Sequence, residues 1–471
     1  MKRVLIPRML FLLSLAFALQ PVGAATAQKP NIIVILADDL GAKELGCYGN
    51  RENRTPNLDR LAQTGVKFET AFTSPVCHPT RFMLMTGQYG CHNGVLNFAG
   101  KRGGPEKHDG HDDIATHVTF GQLLKQAGYA TAVAGKWQLS GEQPTLIRET
   151  GFDEYCMWGF GNYYTNEDRA KATAAGIDFR SRYWHPSVIR NGAWVPTTKD
   201  DYGPDMHQAF ALDFIRRKKD APFFLYYPMC LTHGPHEPSP DTKATAAKSD
   251  GSRKSRRLPE NFKANVEYMD KLVGGLVAEL ERLGLRENTL IFFTGDNGTG
   301  GDGKSQAVEK GARVPMIVNG PGIVKARGAT LELTDLSDVV PTLVEFAGAK
   351  LPTDRPIDGH SYAGFLRGTT EHTRDWIFAF QADRRILRTQ RWLLEDNSPL
   401  HWGQLYDCGE LRGGSGYKDV TASNDPEVLA IKAKFNALLA TLPAPVLAAE
   451  GAPNERKDPA AKAAKRKKKQ V

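Results

Sequence analysis

Along the chain, short runs of consecutive apolar residues alternate with longer stretches in which apolar positions recur every three or four residues. The first run, residues 31–37 (NIIVILA), is rich in β-branched side chains and shows no in–out alternation, so it reads as a strand buried on both faces. Runs of the same kind follow at 130–134, 222–227, 289–293 and 314–318. Between them, 57–64, 119–127 and 261–283 carry the spacing of amphipathic helices. Strands alternating with helices predict an α/β sheet. Beyond Arg367 the texture changes. Segments 376–381, 385–389 and 391–394 read as short antiparallel strands, 413–416 as a loop and 426–442 as a closing helix. The expected division is a main domain over 28–367 and a smaller C-terminal α+β subdomain over 368–445, with an exposed Lys/Ser/Ala-rich insertion at 243–257.

The two ends of the chain stand apart from this pattern. Lys2, Arg3 and Arg8 precede an apolar run from Met9 to Leu19 and then small residues through Ala27, the layout of a secretory leader over 1–27. The run is too short for a membrane span, so the sequence predicts an exported protein, periplasmic or extracellular, without an integral membrane segment. The net charge of +8 is concentrated at these ends. The leader holds three cations and no acid, and from Glu450 onward eight Lys and Arg face three acids. The body between is near neutral, which disfavours a nucleic-acid binder. The tail, 446–471, reads as disordered and solvated, with contact to an anionic polymer or membrane surface as the alternative. Six cysteines (Cys47, Cys77, Cys91, Cys156, Cys230 and Cys408) are too scattered for a disulfide framework. One or two bridges stay open, and their pairing is not legible.

Ligands of open α/β sheets gather outside the carboxyl ends of the strands, and polar clusters fall there repeatedly. Asp38 and Asp39 end the first run, Lys136 follows the second, His233 follows the third after a short turn, and Asp296 and Asn297 follow the fourth. The two pairs offer only oxygen donors, a set suited to a hard cation, Ca²⁺ or Mg²⁺. Taken singly, each pair also reads as turn chemistry. Adjacent carboxylates at two buried strand ends are harder to explain without a cation, because unpaired buried charge is costly. Cys77-His78-Pro79-Thr80-Arg81 precedes the helix-compatible stretch 82–85. Pro79 suits a first helical turn, whose amides attract an anion, and Arg81 sits one turn on. A small buried thiol beside a cap is the bland alternative.

These residues resemble the signatures of one family, the formylglycine-dependent sulfatases of the alkaline-phosphatase-like superfamily. Cys77-His78-Pro79-Thr80-Arg81 is similar to their Cys-x-Pro-x-Arg element, Gly135-Lys136-Trp137-Gln138-Leu139 to the second signature, and Thr232-His233-Gly234-Pro235 to the active-site His-x-Pro segment. Thr294-Gly295-Asp296-Asn297-Gly298, Lys304 ahead of Arg313-Val314-Pro315, and Leu405-Tyr406-Asp407 complete six matches in order. The resemblance covers almost all of the mature sequence. It implies a large mixed, mostly parallel sheet flanked by helices, with a C-terminal subdomain of antiparallel sheet plus helix.

The resemblance also implies an activity: hydrolysis of sulfate monoesters, on carbohydrate or aryl substrates. It implies Ca²⁺ in preference to Mg²⁺, held by Asp38, Asp39, Asp296, Asn297 and Cys77, the last converted to formylglycine by a maturation enzyme. One hydroxyl of the hydrated aldehyde attacks sulfur, and loss of the proton from the other expels sulfate. Lys136 and Lys304 stabilise the sulfuryl oxygens, Arg81 holds the formylglycine hydroxyl, and His233 protonates the leaving oxygen. Many members carry His two residues after the signature Lys, where this chain has Gln138. Gln cannot accept a proton near neutral pH, so Gln138 is a substrate contact and the base for sulfate release stays open. His236 is a further candidate contact. Two other functions remain: a phosphonate or phosphate ester hydrolase using the same nucleophile, and a non-catalytic binder of sulfated glycans.

Overall fold

A computed structural model describes residues 29–98, 114–139, 145–159, 164–242 and 259–443. The leader, the 243–257 insertion and the 446–471 tail lie outside the described residues. Ten strands form one sheet: β1 (Asn31–Ala37), β2 (Val66–Phe72), β3 (Ala130–Gly135), β4 (Glu154–Trp158), β5 (Val188–Arg190), β6 (Ala193–Val195), β7 (Phe223–Pro228), β8 (Thr289–Gly295), β9 (Arg313–Asn319) and β10 (Gly328–Asp335). Their spatial order is β10-β2-β9-β8-β1-β7-β3-β4-β5-β6. The four at the centre, β8, β1, β7 and β3, are mutually parallel, so their carboxyl ends share one edge.

Each residue of β1 is buried because helices cover both faces of the sheet. Ile32, Val34 and Leu36 join a core with helices α2 (Cys77–Thr86), α3 (Phe120–Gln126) and α6 (Val339–Ala347). Ile33, Ile35 and Ala37 face the opposite layer, built from α1 (Pro56–Thr64), α4 (Gly203–Lys218) and α5 (Pro259–Arg282). The alternation of side chains along a strand divides one apolar run between two cores. A second sheet, β11 (Ile377–Gln381), β12 (Arg384–Arg388), β13 (Trp392–Asn397), β14 (Gln404–Asp407) and β15 (Lys418–Asp419), is antiparallel throughout. Phe378, Phe380 and Leu394 of this sheet, with Phe435 of α7 (Pro426–Thr441), pack into the α2 side of the main core.

One apolar run departs from the parallel-strand expectation. The 314–318 run forms β9, which is antiparallel to both β2 and β8. Hydrophobic periodicity carries no direction; the connection does. No crossover helix joins β8 to β9, only an irregular segment closed by a single turn at Glu309–Ala312. Because β9 reverses the direction twice over, β2 runs with the central four strands, and the turn after it reaches the same edge. The six cysteines are all free, so neither of the open bridges forms.

Candidate active site

The shared edge collects the charged residues. The first helical residue of α2 is Cys77 itself, with Val76 as cap, so the helix starts earlier than the 82–85 stretch suggests. Cys77 is buried, at the end of the segment that leaves β2. Pro79 lies in the first turn and Arg81 one turn on. Asp38 and Asp39 leave β1, Asp39 at φ +59°, a left-handed conformation that Asp tolerates better than most residues. The backbone around them is tied across strands: Asp38 N donates to Leu231 O (2.8 Å), Thr232 N to Asp38 O (2.7 Å) and Asp296 N to Ala37 O (2.9 Å).

Side chains then close the cluster. Lys136 Nζ donates to both oxygens of Asp38, 2.8 Å each. Arg81 Nη2 donates to Asp296 Oδ2 (2.7 Å) and lies 3.7 Å from Asp38 Oδ1, while Nη1 donates to Lys136 O (2.9 Å). Lys304, on the β8–β9 connection, donates to Asp39 Oδ1, as does Asn297 Nδ2 (2.9 Å). Asp39 N donates to Asp296 Oδ1 (2.9 Å). Arg81 is thus committed to the acid cluster with two of its three nitrogens, leaving Nε without a partner. Each terminal nitrogen keeps a second N–H, so with Nε–H three donors remain for the expected grip on the Cys77 side chain.

The electrostatics follow from burial. Burial alone would raise the Asp38 carboxyl, but Lys136 foremost, with His233, Arg81 and Lys304, holds it far below the usual carboxylate range. Asp296 is pushed up to about 7 by burial and by the charge of Asp38, against Arg81 and Lys136. Burial favours loss of the Lys304 proton; Cys77, Asp39, Asp38 and Asp296 outweigh it and raise the ammonium above an ordinary lysine.

His233 sits with Nε2 3.7 Å from Asp39 Oδ2, and its Nδ1 faces the carbonyl of Gly234. A carbonyl only accepts, so Nδ1 carries the proton of the neutral ring and Nε2 presents a lone pair to the site. Burial, aided by Lys136 and Arg182 against the charges of Asp38 and Asp39, lowers this imidazole to about 4. Nε2 therefore donates a proton only when the ring is an imidazolium. Among the described residues, the one compact group of His, Cys, Asp and Glu with metal-ligand reach is Asp38, Asp39 and His233, their ligand atoms within 4.8 Å. A hard cation fits further. Asn297 Oδ1 is buried with no hydrogen-bond partner, and oxygens dominate the donors around it.

Gln138 follows Lys136 and Trp137 at φ +52°. Its carbonyl lies 3.1 Å from His78 Nδ1, next to Cys77, and its Oε1 is buried without a partner. His236 stands apart, its ring against Phe262 of α5 with 5.1 Å between centroids. The aromatics at 155–164 and 183–184 are mostly structural: Tyr155, Trp158, Tyr164 and Tyr183 are buried, and 160–163 lie outside the described residues. Tyr183 donates to His233 O (2.6 Å) and Cys230 O (3.1 Å), and Trp184 Nε1 to Pro238 O (2.9 Å), so they hold the His233 loop. Sequence reasoning missed Arg182, whose Nη1 lies 3.9 Å from Asp38 Oδ2. A lone Arg beside three aromatics carries no spacing signal.

The family model described as Sulfatase matches residues 30–349. Arylsulfatase A of Homo sapiens is 34% identical over 395 residues, covering 76% of this chain and 72% of the relative. N-acetylgalactosamine-6-sulfatase of Rattus norvegicus is 31% identical over 375 residues, 74% of this chain and 68% of the relative. The solved structure of Ps i-CgsB in complex with k-i-k-neocarrahexaose aligns with a TM-score of 0.71 at 27% identity, over 90% of this chain and 95% of that one.

Proposed function

This chain belongs to the sulfatase family, sulfuric ester hydrolases, and from that premise we propose that it cleaves sulfate monoesters of carbohydrates through a formylglycine made from Cys77. The observation that carries the proposal is the meeting of a helix that starts on Cys77 with a buried Asp38–Asp39–Asp296–Asn297 cluster and the cations Arg81, Lys136 and Lys304. Asp38, Asp39, Asp296, Asn297 and the modified Cys77 would hold a divalent cation, Ca²⁺ ahead of Mg²⁺. Bound there, such a cation would neutralise the carboxylates and draw charge from sulfuryl oxygens. A hydrated aldehyde at position 77 offers two hydroxyls on one carbon, one to attack sulfur and one to release sulfate; a thiol or a serine would end as a stable ester.

The chain's own residues do the rest. Lys136 fixes Asp38, and Lys304 spans from Asp39 toward Cys77, keeping positive charge where the sulfuryl group gains negative charge. Arg81 locks Asp296 and the Lys136 backbone in register. His233 delivers its proton to the leaving oxygen as an imidazolium, a form that the incoming anionic ester favours. Gln138, beside His78, offers an amide to the sulfate but no base. The carbohydrate preference draws support from relatives named for sugar sulfates. Export rests on the 1–27 leader; no described helix is long and apolar enough to cross a membrane. A maturation enzyme is the required partner, and 28–367 and 368–445 serve as the catalytic domain and its subdomain.

Side-by-side turnover of an aryl sulfate, a phosphate monoester and a phosphonate tests the reaction class; dominant phosphonate turnover would overturn the sulfatase assignment. Ca²⁺ at a hundredfold excess over its dissociation constant should raise stability by about 2.7 kcal/mol, read as a higher melting temperature. Asp39→Asn should remove most of that rise.

A further inference from the structure

Arg182 is a largely enclosed cation, two of whose nitrogens have no hydrogen-bonded acceptor among the described residues. Its side chain is 10% exposed, and its guanidinium stands over the Trp158 ring, 4.0 Å from the centroid. Both Nε and Nη1 are shut off from solvent and donate to no acceptor among the described residues. The other deeply buried guanidiniums differ. Arg81 donates to Asp296 and to Lys136 O. Arg374 donates to Asp335, Asp338 and Tyr89, and Arg388 to Cys408 and Leu411 O.

Asp38 is the nearest acid, but at 3.9 Å from Nη1 it is beyond hydrogen-bond reach, and Lys136 already occupies both its oxygens. Stacking on Trp158 accounts for where the guanidinium lies and supplies no acceptor for its N–H groups. Burying such donors unpaired is costly, and an oxyanion removes that cost with the planar fork that Arg offers. The position also suits an incoming ligand. Arg182 directly precedes Tyr183, which is hydrogen-bonded to the backbone of His233, so the guanidinium is held at a fixed place beside the residue assigned to the leaving oxygen.

We infer that Arg182 is a substrate-binding residue whose guanidinium receives an anionic oxygen of the bound ester. The inference rests on the sulfatase reading of the same site. The oxyanion is either the ester sulfate itself or a second sulfate on the sugar.

The test is calorimetric and needs no turnover. In a Cys77→Ala background, binding of inorganic sulfate, a monosulfated hexosamine and its disulfated counterpart is compared between Arg182 and Arg182→Gln, with melting temperatures alongside. A charge-assisted contact of this kind should lose roughly tenfold or more in affinity on substitution. Arg182→Lys should recover only part, lacking the planar fork. Weaker binding of all three probes assigns the ester sulfate; weaker binding of the disulfated sugar alone assigns the second anion. Unchanged affinity for all three overturns the inference, as does a drop in melting temperature with no change in affinity, the result of a purely structural stack on Trp158. In the unsubstituted Cys77 protein the same variant should raise KM with kcat nearly unchanged where the second sulfate is the contact, and lower kcat as well where the ester sulfate is. A Cys77 protein that turns over no sulfate ester sinks the sulfatase reading, while the calorimetry still judges Arg182.

Discussion

At Asp38, Lys136 occupies both oxygens and Arg81 and Arg182 stand within 4 Å of them, so one carboxylate organises three cations. His233 is the residue whose role is most constrained by its neighbours. Nδ1 keeps its proton in a hydrogen bond to Gly234 O, and Nε2 is left to act only when a second proton arrives. A donor of that kind matters most when the leaving alkoxide is basic. His233→Ala should therefore lower kcat on a sugar sulfate by about 10²–10⁴, and lower it much less on 4-nitrophenyl sulfate, whose leaving group needs little protonation. Steady-state rates on both substrates check this; equal losses would assign His233 to binding or metal ligation instead. Asp38, Asp39, Asp296, Asn297 and Lys136 were legible in the sequence because each follows an apolar run, and Lys304 only through the family resemblance. Arg182 was not. Its importance comes from a guanidinium stacked on Trp158 whose Nε and Nη1 make no hydrogen bond among the described residues, and such pairing is a property of the fold.

At the scale of elements, the site exists because β8, β1, β7 and β3 are neighbours with one direction, and β2 delivers Cys77 to their carboxyl edge. The seam between β3 and β7 is tight at Gly135. At φ +118° a Cβ there would lie 2.0 Å from Pro228 O, the acceptor of the Lys136 amide. Gly135→Ala should cost roughly 3 kcal/mol or more and lower activity as well, because the strain falls on the residue that holds Asp38. Gly176, also at positive φ but with nothing within 4 Å, is the control. Its Ala variant should cost about 1 kcal/mol and leave kcat unchanged. Denaturant midpoints and initial rates for the two variants decide it. The central strands were legible as two-sided apolar runs, whereas β2 was not, since Lys67 and Glu69 interrupt it and pair with each other. The direction of β9 was hidden as well, because it depends on a connection that lacks a crossover helix.

Across the whole molecule, two apolar layers grip one sheet, and the antiparallel subdomain seals the α2 side. Burial on this scale carries a pH dependence. His207, on α4, is wholly enclosed, and desolvation pushes its imidazole down to about 4. The unfolded chain binds that proton near 6.5, so His207's contribution is complete above that pH and is lost as pH falls toward 4, a change of about 3 kcal/mol. His207→Leu should flatten the decline of the melting temperature between pH 7 and 4.5; an unchanged slope would place the acid sensitivity elsewhere. The central claim, that this fold positions Cys77 as the precursor of the nucleophile, is tested most directly by peptide mass spectrometry across Cys77 in protein made with a functioning maturation system. The account predicts that the peptide carries an aldehyde in place of the thiol and that turnover scales with its fraction. A peptide bearing only the unmodified thiol, in protein that still hydrolyses sulfate esters, would contradict it.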